Sequence, residues 1–225
     1  MLQIGPRYEE AVKLENSQKV IHSLCKRNGI AKFSMIEKDT ELGGGLLLHH
    51  LNRLTSLGIV ESDVKGTYRL KYKTPLCYVF GARKVPFAYL GLLGRRDSYK
   101  TPEPEVALNL LSSERIKPSL VYVLTSPEAV SDWKTEKLRY QWILCYGDEI
   151  IEIDEVQKRV LPQLEALLRE YLVVVDCTSS TKPATIALYD LAQRYLIPCI
   201  YVSEEKKSVK WLISSDSIRA RLGIK

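Results

Sequence analysis

The stretch "VVVDCTSSTKPATIALYDLA", residues 173–192, decides the fold. Three valines run into Asp176, and small hydroxyl residues follow (Thr178, Ser179, Ser180, Thr181), then Lys182, Pro183 and an amphipathic run. A short, continuously apolar run that stops where a helical pattern starts reads as a strand buried on both faces. Pro183 suits the first turn of the next helix, where its missing N–H costs nothing. Strand, polar loop and helix in succession are the unit from which parallel α/β sheets are built.

The same alternation extends outward from this point. On the C-terminal side lie the strand "IPCIYV" and a ribbon near "KSVKWLIS". On the N-terminal side the order is strand "VPFAYLGLLG", helix "EVALNLLSSE", strand "SLVYVLT" and the polar helical stretch "PEAVSDWKTEKLR". One or two strands in "YQWILCYGDEIIEID" and the long helix "EVQKRVLPQLEALLRE" complete it. Residues 76–225 therefore read as a doubly wound, Rossmann-like parallel sheet covered on both faces.

Before residue 75 the pattern changes. "SQKVIHSLCKRNGI" places Val20, Ile21, Leu24 and Cys25 at helical spacing, with Ser17 as its N-cap and Asn28-Gly29 as its stop. A short helix around "FSMIEK" follows, then a helix with Leu47, Leu51, Leu54 and Leu57 on one face, then two strands about Lys65-Gly66. Helix, helix, helix, ribbon is the winged helix-turn-helix order, assigned to residues 1–75. "HHLNRLTSLGIVES" resembles the end of the recognition helix and the entry to the wing in ArsR- and MarR-like regulators. That resemblance implies binding of double-stranded DNA, with His49, His50, Asn52 and Arg53 on the helix and Lys65 and Arg69 on the wing.

Bulk properties permit this. The 225 residues are 45% hydrophobic and 27% charged, enough to bury a core, so disorder is not the default. Net charge is +6 with pI near 9.0. Residues 1–73 hold 12 Lys/Arg against 8 Asp/Glu, so the excess concentrates at the N-terminal end. A mild basic excess admits nucleic-acid and nucleotide partners without demanding them. Five separated cysteines without a CxxC fit a reducing compartment. With no apolar leader and no run of about 18 apolar residues, the expectation is a cytoplasmic protein with no membrane partner.

In sheets of this class ligands bind beyond the carboxyl ends of the strands, where the strand order reverses. Asp176 closes a strand there, and the start of the next helix offers free N–H groups and partial positive charge to a phosphate. Hydroxyls can hydrogen-bond a ribose or a base, so a nucleotide is the natural ligand class.

"VVVDCTSSTKPATIAL" also resembles the motif of CARF (CRISPR-associated Rossmann fold) domains, in which a strand ends in Asp or Asn and runs into "xTGGTKxxxxA". Asp176, Thr178, Thr181, Lys182 and Ala187 match, and Ser179-Ser180 stand where that pattern has Gly-Gly. The resemblance implies a CRISPR-associated homodimer that binds cyclic oligoadenylate, with cyclic tetra-adenylate the expected ring. It implies two ligand loops: Asp176 to Lys182, and the loop after the first strand with Gly94, Arg95, Arg96, Asp97 and Ser98. A regulator whose DNA affinity responds to that ligand is the leading reading. The alternatives are a ring nuclease, in which Lys182 or an arginine stabilises charge while a ribose 2′-hydroxyl attacks its own phosphate, and a regulator sensing another nucleotide or metabolite.

Other constellations are weaker. His49-His50 lack a third ligand in reach, so no metal is expected; no P-loop, GxGxxG, GxSxG or HExxH occurs, and no cofactor is expected. The acidic residues Asp148, Glu149, Glu152 and Asp154 read as a strand edge and helix cap. Trp133, Trp142 and Trp211 read as core or interface.

Overall fold

Val20, Ile21, Leu24 and Cys25 are all fully buried. They lie on α2 (Glu15–Lys26), which follows the short α1 (Tyr8–Val12). The helix begins earlier than expected, so Ser17 sits inside it rather than capping it, and its hydroxyl turns to His50. The expected stop holds. Asn28 takes φ +58, Gly29 N–H donates to Leu24 C=O (2.8 Å) and Asn28 N–H to Cys25 C=O (3.0 Å), the paired bonds of a Schellman motif.

β1 (Ile30–Lys32) leads into α3 (Phe33–Thr40) and then α4 (Gly44–Ser56). Leu47, Leu51, Leu54 and Leu57 are buried together. Gly58, at φ +71, ends α4 with a second Schellman pair: Ile59 N–H to Leu54 C=O and Gly58 N–H to Thr55 C=O, each 3.0 Å. β2 (Val60–Asp63) and β3 (Thr67–Leu70) form the antiparallel ribbon, and β1 joins β3, a strand too short for the sequence to announce. α5 (Leu76–Val79) follows.

The computed structural model describes residues 5–63, 66–82, 84–96, 101–134, 138–203 and 207–224. It divides into two compact units, Met1–Val85 with Leu168–Leu172 and Ser215–Lys225, and Pro86–Leu167 with Val173–Ser214. The first unit thus takes in residues 76–85 and two later segments besides residues 1–75.

The second unit is an α/β sheet. Its elements are β4 (Phe87–Leu92), α6 (Glu103–Ser113), β5 (Pro118–Thr125), α7 (Pro127–Asp132), β6 (Gln141–Leu144), α8 (Ile153–Glu170) up to Leu167, β7 (Leu172–Asp176) from Val173, α9 (Lys182–Tyr195), β8 (Cys199–Ser203) and β9 (Ser208–Ile213). A 3-10 turn, Gly147–Ile151, precedes α8 where a second strand was a possibility. The six strands lie in the order β6-β5-β4-β7-β8-β9. β4/β5, β5/β6 and β7/β8 pair in parallel, and β9 runs antiparallel on β8. This is the expected Rossmann-like sheet, with strands in the spatial order 3-2-1-4-5-6. The chain builds outward from β4 to β6, then returns to lay β7 beside β4, which puts the reversal of strand order between those two.

Tyr89, Leu93, Val123, Trp133, Val174 and Ile200 form the centre of this unit's core. Trp133 and Trp211 are accordingly structural, the latter donating to Glu114. All five cysteines are buried free thiols. The final helix, α10 (Ser215–Leu222), which the sequence reading missed, belongs to the first unit.

Candidate functional site

β4 and β7 end side by side, and the loops that leave them interlock. Gly94 N–H donates to Ser179 Oγ (3.1 Å), and Ser179 donates to the carboxylate of Glu103 at the start of α6 (2.8 Å). A Cβ on Gly94 would stand 3.2 Å from that Oγ, so glycine there allows the close approach. Gly94 C=O accepts from the buried Trp133 indole, and Leu93 C=O accepts from Thr125, which fixes the first loop from the other side.

Asp176 is 2% exposed, below the loop rather than in it. Its carboxylate accepts from Tyr89 Oη (2.6 Å), from Thr178 N–H (2.9 Å) and from the Thr178 hydroxyl. Burial pushes its pKa up against the pull of those donors, and the same burial pushes the Tyr89 phenol up. Asp176 therefore organises the turn.

The hydroxyls have a similar fate. Thr178 Oγ1 accepts from Val202 N–H while donating to Asp176. Thr181 Oγ1 caps α9 by accepting from Ala184 N–H (3.3 Å) while donating to Ile150 C=O (2.6 Å). A hydroxyl has one proton to give, so Thr178, Ser179 and Thr181 have spent theirs on the protein. Ser180 differs: its hydroxyl has no protein partner among the described residues, and it holds φ +75 where the matching pattern has glycine.

What remains open is backbone. Among the described residues no acceptor meets the N–H groups of Ser179, Ser180, Thr181 and Lys182, at the positive end of the 14-residue helix α9. Ser179, Ser180 and Thr181 line a cleft of about 520 Å³ together with Thr178, Leu93, Gly94, Arg95, Glu103, Ser126, Glu128, Ala129, Gly147 and Ile150. Such a site can take an oxyanion.

The other candidates are placed as follows. Arg95 lines the cleft with its guanidinium held by Asp132 through Nε and Nη2. Arg96 stacks over the Trp133 ring, 4.7 Å from its centroid. Lys182 is exposed at the first position of α9, outside the cleft lining. Asp97 and Ser98 lie outside the described residues.

Sequence reading missed Glu103, Ser126, Glu128, Gly147 and Ile150. For Ser126 a signal existed: "TSPE" ends a strand and starts a helix with Ser then Pro, the order seen at Thr181 to Pro183, and Ser126 does cap α7. Nothing in "PEPEV" announces that Glu103 is buried. Glu149, from the acidic cluster, caps the 3-10 turn at Tyr146 N–H and pairs with Arg159.

In the first unit, the proposed DNA contacts separate into two groups. His50 is buried against Ser17, Nδ1 to Oγ 3.1 Å, and burial followed by the charges of His49 and Arg53 pushes its pKa down. Arg53 is tied to Glu10 C=O (2.7 Å) and Ser17 Oγ (3.3 Å). His49 and Asn52 are exposed on α4, beside the half-exposed Leu46 and Leu48. Arg69 is exposed on β3 and pairs with Asp63 at 3.7 Å, while Lys65 lies outside the described residues. Among the described residues no trio of His, Cys, Asp or Glu is placed to hold a metal, and no helix is long and apolar enough to cross a membrane.

No family model matches the chain, and no curated protein matches it. Among solved structures, it is similar to Can2 from Sulfobacillus thermosulfidooxidans in complex with cyclic tetra-adenylate, at TM-score 0.42 and 17% identity over 58% of this chain and 36% of that one. Enterococcus italicus Csm6 bound to cyclic hexa-2′-fluoro-hexa-dAMP gives TM-score 0.43 and 12% identity, over 62% and 38%. VC1899 from Vibrio cholerae gives TM-score 0.43 and 10% identity, over 57% and 34%. The chain spans little more than a third of the length of these structures.

Proposed function

We propose that the cleft at the ends of β4 and β7 binds cyclic oligoadenylate, and that the chain is a CARF-type sensor of that messenger. The observation that carries this reading is the row of four open N–H groups, Ser179 to Lys182, at the start of α9 and at the reversal point of the sheet. Preorganised N–H donors at a helix N-terminus favour phosphate, and Lys182 adds a cation at the same end.

The ring is two-fold symmetric, so its partner surface is a second copy of the chain. In support, Tyr146 just before the 3-10 turn, Ile151 at its end, Ile153 at the start of α8, and Ile186 and Tyr189 on α9 are all exposed. The turn and the start of α9 are joined by the Thr181–Ile150 bond, and Thr181 and Ile150 both line the cleft. Clusters of large apolar side chains of this kind mark interaction surfaces.

The first unit we assign to the winged-helix class, on its order of helices, ribbon and third strand. DNA contact then falls to His49 and Asn52 on α4 and to Arg69 and Lys65 on the wing, with ring binding altering DNA affinity through unequal affinity for two states of the protein. Incubating the protein with radiolabelled cyclic tetra-adenylate and separating bound, free and cleaved species tests the reading. Bound, intact ring is the expected result; linear product establishes the ring nuclease, and absence of both bound and cleaved ring refutes the assignment.

A further inference from the structure

The lining of the cleft poses a charge problem for a polyanionic ligand. Among the described residues it has one cation, Arg95, already paired with Asp132, against two carboxylates, Glu103 and Glu128. Glu103 is engaged with Ser179 on the cleft floor. Glu128 is exposed in the first turn of α7, where the Ser126 hydroxyl and a backbone N–H hold its carboxyl below the usual range and keep it ionised. An ionised carboxylate only accepts hydrogen bonds. It opposes a phosphate ring unless the ring brings donors to it.

A cyclic oligoadenylate has two kinds of donor, the ribose 2′-hydroxyls and the 6-amino groups of its bases. Position makes Glu128 a suitable acceptor. α7 follows β5 and α9 follows β7, and β4 lies between those strands. Two strand spacings separate the two ends by about 10 Å, of the order of one nucleotide from phosphate to base. We infer that Glu128 is a specificity-determining residue of the cleft, accepting a hydrogen bond from one of these donors while the start of α9 holds phosphate. The inference rests on the reading of the cleft as a ring-nucleotide site.

Titration of the wild type and Glu128→Ala with three rings tests it: cyclic tetra-adenylate, its 2′-deoxy counterpart, and the ring in which unsubstituted purine replaces adenine. Glu128 is exposed and Ser126 keeps its cap, so the variant folds, as circular dichroism will check. It is expected to bind the parent ring at least about tenfold more weakly, the scale of a hydrogen bond to a charged group. One analogue is expected to bind the wild type equally weakly and to lose nothing further on the variant, which identifies the donor as hydroxyl or amine. Three results overturn the inference: parent binding that is unchanged or tighter in the variant, as loss of a merely repelling charge would give; both analogues binding the wild type as tightly as the parent; or both losses adding fully to that of the variant. A wild type that binds no ring removes the reading of the cleft itself, and the inference with it.

Discussion

Tyr89 and Gly91 lie two residues apart on β4 and so face the same way. The Tyr89 ring lies along the strand over Gly91 to bring its hydroxyl to Asp176, and a Cβ added at Gly91 would stand 2.3 Å from that oxygen. Tyr89 is fully buried and has nowhere to go. Gly91→Ala is therefore expected to destabilise the protein by about 3 kcal/mol, at the upper end of overpacking costs, as measured by urea denaturation; unchanged stability would contradict the Tyr89–Asp176 contact. His50 gives a second prediction at this scale. Its folded pKa is below the ordinary 6.5, so the unfolded chain takes up the proton first. Its contribution to stability is present above pH 6.5 and is lost as pH falls from there toward the folded value. Between pH 7.5 and 5.5 the wild type should lose more stability than His50→Asn, and equal pH slopes would refute the buried placement. At this scale the sequence showed residue types but not directions. Asp176, Thr178 and Ser179 were legible as a cluster, yet their hydroxyls are fixed by groups distant in the chain: Glu103, which accepts from Ser179, and Val202, whose N–H donates to Thr178.

The start of α9 carries both a structural cap and the proposed ligand contact, and two substitutions there separate them. Thr181→Ala removes both the cap to Ala184 and the bond to Ile150, and should lower stability by about 1–2 kcal/mol. Lys182→Ala leaves the cap in place, and its exposed side chain has no hydrogen-bond or ion-pair partner among the described residues. It should leave the melting temperature unchanged while weakening ring binding by about 1.5–3 kcal/mol, the scale of a charged hydrogen bond. Thermal melts and calorimetric titration of both variants check this, and an unchanged affinity in Lys182→Ala would dismiss the cation. Long, periodic elements such as α2, α4, α8 and α9 were readable because their apolar spacing is repeated over several turns. β1, with three residues, and the 3-10 turn before α8 carry too few positions for any period to show. Ser17 misled because a hydroxyl before an apolar run reads as a cap, whereas here it serves His50 from inside the helix.

For the whole molecule, the parallel sheet was legible because its two central strands, β4 and β7, are buried at nearly every position and so read as continuous apolar runs. The later segments of the first unit were not, since Arg221 pairing with Glu9 and Lys73 with Glu170 are contacts between residues about 100 or more positions apart. We propose that the cleft works with a symmetric partner, two copies of the start of α9 closing on one ring. Calorimetric titration of cyclic tetra-adenylate into the purified protein, with light scattering on the same samples, tests it most directly. The account predicts a dimer that binds at a stoichiometry of about one ring per two chains, with binding weakened in Lys182→Ala. A monomer that gives no binding heat at micromolar concentration would contradict it.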